Sequence, residues 1–141
     1  PDSIHIGIAV DTAAGLIVPV IRDVATSTLT QIATQTRHLI PAAQADRLEL
    51  SNLRGACFTI SNLGPFGVDA FTPVINPPES AILGIGTIAR EAVPQDHGGF
   101  IARDRLTMSL TFDHRVIDGA DAARFLQTLR KLIEHPLPSF L

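Results

Sequence analysis

One decapeptide gathers the side chains that could move a proton. Residues 110–119 read Leu-Thr-Phe-Asp-His-Arg-Val-Ile-Asp-Gly and place one imidazole, two carboxylates and one guanidinium in a single short turn. An apolar, alternating run over 106–112 leads in, and a helix-forming run over 120–134 leads out. A histidine at a strand end, before a tight turn, can be held still as a general base near neutral pH. A lone histidine is nonetheless more often structural, and spacing alone leaves His114 there. Asp118, four residues on, has helix capping as its default role because Gly119 follows it.

Other polar groups are weaker candidates. Ser61 and Asn62 close an apolar run and enter the glycine-rich stretch 61–67. A hydroxyl or amide there could donate to a developing oxyanion, although a plain turn explains the same residues. No G-x-S-x-G elbow supports a Ser–His–Asp hydrolase. Gly84-Ile-Gly86 lacks the third glycine and the following helix of a nucleotide loop, so its glycines are read as room for a neighbouring backbone. Cys57 falls in an apolar run and reads as an inert core residue. His5, His38, His97 and His135 are scattered without zinc spacing, so no metal site is expected.

The elements that must position these groups follow from pattern. Residues 4–10 and 16–21 read as strands joined by a turn over 11–15, with Pro19 requiring an edge or an unpaired position. Thr26-Ser-Thr signals a helix start, with apolar positions at Leu29, Ile32, Ala33, Leu39 and Ile40. Pro41 is expected to break or kink that helix, and residues 42–50 to resume as a second short one. Residues 56–60, 81–88 and 106–112 read as strands, 70–75 as extended, and 95–99 as a loop tip joining two strands. The last helix has Asp118 as N-cap, Asp121 in its first turn, and one apolar stripe of Ala122, Phe125, Leu126, Leu129, Leu132 and Ile133. His135-Pro136 ends it. Mixed strands and helices with hairpins predict an α/β two-layer sandwich, a mixed β-sheet with helices packed on one face.

Composition sets the frame. The 141 residues suit one domain, which at this length buries roughly 68% of its unfolded surface. Eleven basic against 14 acidic residues give −3, with no basic run beyond Arg130-Lys131, so nothing points to nucleic acid. One cysteine excludes an intrachain disulfide and fits a reducing compartment. No apolar run reaches membrane-spanning length, and the reading is a soluble, intracellular chain. Strand pattern begins directly after Pro1-Asp-Ser, as if the chain continued something longer.

Five ordered segments carry a resemblance. Asp113-His-Arg-Val-Ile-Asp-Gly119 with residues 120–126 is similar to the active-site signature of the dihydrolipoamide acyltransferases, the core enzymes of the 2-oxo acid dehydrogenase complexes. Residues 5–12, 15–23, 58–64 and 71–79 resemble the same family in its order, so the resemblance covers nearly the whole chain. It implies a chloramphenicol-acetyltransferase-like fold, with residues 1–141 forming the C-terminal portion of the family's acyltransferase catalytic domain. The family's N-terminal part, which helps bind coenzyme A and the lipoyl arm, precedes where this chain begins. Pro41 and the segment 42–48 also depart from the family's continuous helix.

The resemblance implies roles. His114 is the general base on the coenzyme A thiol, Ser61 the oxyanion donor, Asn62 a coenzyme contact, and Asp118 the residue that fixes the turn presenting His114. The acyl group, acetyl as first choice, arrives on a lipoyl group carried by a separate domain. Ser61 and His114 are expected to meet across the interface of a homotrimer that assembles into a larger cage. Partners would be the lipoyl domain and the 2-oxo acid decarboxylase and dihydrolipoamide dehydrogenase components, in the cytoplasm or, in a eukaryote, the mitochondrial matrix. A non-catalytic, oligomer-forming core fragment is the alternative.

Overall fold

The computed structural model describes residues 3–136. Pro1 and Asp2, where the impression of a continued chain arises, lie outside them. The described residues form one five-stranded mixed sheet, two small two-stranded sheets and two α-helices. The strands are β1 (Ile6–Ile8), β2 (Val10–Thr12), β3 (Gly15–Ile17), β4 (Val20–Ile21), β5 (Phe58–Asn62), β6 (Ala81–Ile85), β7 (Ala89–Pro94), β8 (Phe100–Arg105) and β9 (Met108–Phe112). The helices are α1 (Leu29–Gln44) and α2 (Gly119–Glu134). The main sheet runs β4-β1-β5-β6-β9, with β5 parallel to β1 and β6, and β4 and β9 antiparallel at the edges. The α/β architecture expected from the sequence is the one observed.

The two N-terminal strands are each divided. Residues 4–10 and 16–21 pair as a hairpin, but their distal halves form β2 and β3 while β1 and β4 join the main sheet. Pro19 sits buried at the break, just before edge strand β4. Its carbonyl accepts the Ile8 N–H at 2.9 Å, while its missing N–H costs the edge nothing.

Helix α1 starts in a capping box: the Thr28 hydroxyl accepts the Gln31 N–H and the Gln31 side chain accepts the Thr28 N–H. Such a cap contributes about 1 kcal/mol. The Gln35 amide brackets the Arg22 backbone, accepting its N–H at 2.9 Å and donating to its carbonyl at 3.2 Å, which ties the helix to the exit of β4. Pro41 does not break α1, contrary to the sequence expectation. It lies in the last turn on the exposed side, where the Arg37 carbonyl it leaves without a partner can face water. Residues 42–50 are not a second helix: 42–44 complete α1, and Leu50–Leu53 is a single 3₁₀ turn. Asp46 at φ 53° closes α1, with Asp46 N–H to Ala43 and Arg47 N–H to Ala42, a paired C-terminal lock that stops the chain from continuing as helix.

The strand registers align Ile6 and Ile8 with Phe58 and Ile60, and these with Leu83 and Leu110, on one sheet face. Helix α2 packs on part of this face, at β9 and Phe58. Its Phe125 ring meets Phe58 at 5.8 Å and 55°, a tilted pairing that contributes about 0.5–1.5 kcal/mol. The segment 63–80 reaches the other face, where Gly84 leaves room for Phe71 and Pro73.

Candidate functional site

The predicted site residues divide between the two ends of the main sheet. Ser61 and Asn62 are the last residues of β5. The Asn62 Oδ1 accepts the Gly64 N–H at 2.9 Å, so this amide shapes the strand exit. The loop that follows is strapped to the end of β6 by Leu63 N–H to Ile85 and Thr87 N–H to Val68. Gly86 is required there, because a Cβ would stand 1.9 Å from the Asp69 carbonyl oxygen. The expectation that the glycines of the 81–88 run admit a neighbouring backbone thus holds at Gly86, just past β6, while Gly84 admits the side chains of Phe71 and Pro73. Ser61 is half-buried on a strand fixed on both sides.

His114 is at the opposite end. The Asp113 N–H donates to Ser80 at 2.8 Å, continuing the β9–β6 ladder past Phe112. The Asp113 carbonyl accepts the N–H groups of Val116 and Ile117, and its carboxylate accepts the Arg115 N–H at 3.0 Å. The Arg115 guanidinium grips the same carboxylate, Nε to Oδ1 at 2.9 Å and Nη2 to Oδ2 at 2.6 Å. Asp113 therefore clamps the turn from both its backbone and its side chain. The exposed His114 ring leans on Phe112, centroids 5.5 Å apart.

The Arg115 side chain first, and its backbone N–H second, hold the Asp113 carboxyl down to about 2 from an ordinary 3.8. Asp113 in turn raises Arg115. The folded value is the lower one, so the clamp's contribution is full above the unfolded carboxyl value and is lost as pH falls through about 2. Arg115→Ala is expected to move the Asp113 titration up toward 3.8, read by NMR of the side-chain carboxyl. A titration still centred at about 2 would show that the clamp is not the cause.

Asp118 occupies the N-cap position of α2 with extended dihedrals, but its carboxylate makes no capping hydrogen bond. Only its carbonyl joins the helix, accepting the Ala122 N–H. The expected side-chain cap is therefore corrected: Gly119 and the turn already set the helix entry, and the carboxylate is left exposed. Cys57 also departs from expectation. It is exposed just before β5, with its Sγ 3.2 Å from the His5 carbonyl, because β5 begins two residues into the apolar run that opens at Ala56. Among the described residues no three His, Cys, Asp or Glu side chains come together.

Two constellations stand out only in the folded chain. His5 stands between Ser3 and Asp23, Nε2 at 3.2 Å from the hydroxyl and Nδ1 at 3.8 Å from the carboxylate. However, Nδ1 accepts the Asp23 N–H at 3.0 Å, so the neutral ring carries its proton on Nε2 and cannot take one from Ser3. This arrangement lacks the tautomer a hydrolytic triad requires. The Asp113–Arg115 clamp was visible only as two charges flanking His114; the Asp-x-Arg spacing across a strand exit was its signal.

Register excludes an encounter of Ser61 with His114 inside one chain. Ser61 pairs with Gly84 and Gly84 with Ser109, so His114 lies two strands across and five residues beyond. At about 4.8 Å per strand and 3.3 Å per residue, the two are on the order of 20 Å apart.

The whole chain, residues 1–141, matches the family described as 2-oxoacid dehydrogenases acyltransferase (catalytic domain). The acetyltransferase component of the Pseudomonas aeruginosa pyruvate dehydrogenase complex is 48% identical over 130 residues, 92% of this chain and 24% of that protein. A crystal structure of Azotobacter vinelandii dihydrolipoamide acetyltransferase, from work on a serine, a histidine and an asparagine in its catalytic mechanism, superimposes with a TM-score of 0.93. It is 45% identical, over 100% of this chain and 58% of that one. The cubic core of the pyruvate dehydrogenase multienzyme complex gives the same TM-score of 0.93, identity of 45% and coverage of 100% and 58%. The chain thus spans about a quarter of the first of these relatives and little more than half of the solved chains. With a match along its full length and the same sheet, the chain belongs to the 2-oxoacid dehydrogenase acyltransferase family through that family's catalytic domain.

Proposed function

We propose that this chain carries the acyl-transfer chemistry of its family, moving an acetyl group between dihydrolipoamide and coenzyme A. His114 of one copy and Ser61 of a neighbouring copy form each site. The observation that carries this reading is the opposition of the two residues across the sheet: a single chain cannot use both, and an assembly of copies can. In the Azotobacter vinelandii enzyme the asparagine stands four residues after the histidine, and Asp118 stands four after His114 here.

In the forward direction the His114 imidazole takes the proton of the coenzyme A thiol. The thiolate attacks the thioester carbonyl carbon, forming a new C–S bond and a tetrahedral oxyanion. The Ser61 hydroxyl donates to that oxygen. Collapse breaks the bond to the lipoyl sulfur, which leaves with the proton held by His114. Asp118 adjoins the turn presenting His114 and enters α2 through its backbone carbonyl, the turn itself being clamped by Asp113 and Arg115; the Asn62 Nδ2 remains a donor toward the coenzyme while its Oδ1 holds Gly64. Coenzyme A and the lipoyl group are substrates, the latter on a separate domain, and the reading includes no metal.

The exposed surface supports assembly. The chain presents 9980 Å², whereas a folded monomer of this mass exposes about 7,100 Å². The excess of roughly 2,900 Å² is surface that the rest of the catalytic domain, of which this chain matches 58% of a solved chain, and neighbouring copies at about 800 Å² per interface have to cover. Trimers joined in a cage, served by the lipoyl domain, the 2-oxo acid decarboxylase and dihydrolipoamide dehydrogenase, complete the reading. Its compartment is the cytoplasm or the mitochondrial matrix. Incubating the protein with acetyl-CoA and dihydrolipoamide tests it: S-acetyldihydrolipoamide should accumulate. A well-formed oligomer with neither transfer nor coenzyme binding would select the non-catalytic core instead.

A further inference from the structure

A few contacts set the position of His114 on the sheet. Its ring leans on Phe112, and its turn is clamped by Asp113. Both supports are registered on the start of β6. Phe112 pairs with Ala81, and the Asp113 N–H donates to the Ser80 carbonyl at 2.8 Å. Whatever fixes Ser80 and Ala81 therefore fixes the height at which the imidazole stands.

The residue just before them is Glu79, which is only 8% exposed. A glutamate is almost never so buried without a partner. Its side-chain partner is Asn76, whose Nδ2 donates to the Glu79 Oε1 at 2.8 Å. The Glu79 N–H donates in turn to the Asn76 carbonyl at 3.0 Å. Pro77 and Pro78, between the two, have no N–H to contribute. Glu79 thus closes, from both side chain and backbone, the turn that delivers the chain into β6. On one side this turn faces an open cleft lined by Val18, Val20 and Leu53, so close packing does not hold it there. The second carboxyl oxygen, Oε2, is buried with no hydrogen-bond partner among the described residues. An acceptor left unfilled in the interior costs stability, so a buried acid used this way is a poor source of it. What Glu79 supplies is geometry.

We propose that Glu79 is a positioning residue for His114: braced by Asn76, it fixes the entry of β6 and through Ser80 and Ala81 the turn that presents the imidazole. The inference rests on the role of His114 proposed above and adds the residue that holds it in place. Glu79 acts through the backbone of β6 and β9 and touches no substrate.

The test uses the full-length protein with Glu79→Ala, Glu79→Gln and Asn76→Ala, each assayed for acetyl transfer at steady state. Glu79→Ala should lower kcat about 10- to 100-fold, the loss that follows when a catalytic group is misplaced by about 1 Å. KM should move little, because no substrate contact is removed. Glu79→Gln keeps the Oε1 acceptor for Asn76 and should restore most of the lost kcat. Asn76→Ala removes the donor instead and should reproduce the loss, which covers a Glu79→Ala chain that fails to fold. An unchanged kcat in Asn76→Ala, or a Glu79→Gln protein no faster than Glu79→Ala, overturns the role.

Co-assembly separates positioning of His114 from general support of the fold. Asn76→Ala or Glu79→Ala chains still supply Ser61, so mixing them with Ser61→Ala chains should recover activity. Mixing them with His114→Ala chains should recover none. Where Ser61→Ala and His114→Ala chains complement each other, recovery with both partners or with neither overturns the assignment of Glu79 to His114. Where those two do not complement, the two-copy site falls, and the kcat series alone decides for or against Glu79.

Discussion

Replacing His114 with alanine is expected to lower kcat for acetyl transfer by about 10²- to 10⁴-fold, the range a positioned general base contributes. The loss should fall on kcat, because the imidazole acts on the thiol proton and little else in the bound state. It should also shrink as pH approaches the thiol value of about 8.5, where thiolate forms without a base. Melting temperature should hardly change, since the ring is exposed and the turn is held by Asp113, Arg115 and Ser80. Steady-state rates from pH 6 to 9 on both proteins check this. Equal kcat at neutral pH would remove His114 from the chemistry and leave the turn as structure.

Ser61→Ala should cost about 10²- to 10³-fold in kcat, the loss seen when one donor is taken from an oxyanion site. The hydroxyl meets an oxygen that carries full charge only in the tetrahedral state, so KM for either substrate should move little. The strand does not depend on the hydroxyl: β5 is hydrogen-bonded to β1 and β6 through its backbone, and Asn62 builds the exit of the loop. Unlike the histidine variant, this one should gain nothing from raised pH, because it lacks a donor and not a base. That difference in pH response separates the two roles in one assay. A pH-dependent rescue of Ser61→Ala would contradict the assignment of Ser61 to the oxyanion.

Much of the local structure is legible in the residues themselves. Thr26-Ser-Thr announces the start of α1, the turn 95–99 announces β7 and β8, and the run into Asp113 followed by Gly119 announces a strand, a turn and a helix. The misreadings have tertiary causes. Pro41 is tolerated because its position near the helix end is exposed, which no propensity encodes. The strand over 4–10 divides at Ala9, whose N–H goes to Ile60 of β5, a partner distant in sequence. Cys57 differs from expectation because β5 starts two residues into the apolar run, and Asp118 because its carboxylate makes no capping bond. Most of all, the separation of Ser61 from His114 is a matter of register. Composition and spacing are silent on it; the strand pairings place the two residues at opposite ends of the sheet.

The central claim is that each site takes Ser61 from one copy and His114 from another. The direct measurement is co-assembly of Ser61→Ala with His114→Ala chains, each nearly inactive alone. In an equal mixture, an interface pairing intact Ser61 of one chain with intact His114 of the next should recur by chance. Roughly one quarter of wild-type activity should return in the mixed oligomer. Activity no greater than the mean of the two variants measured separately would contradict it.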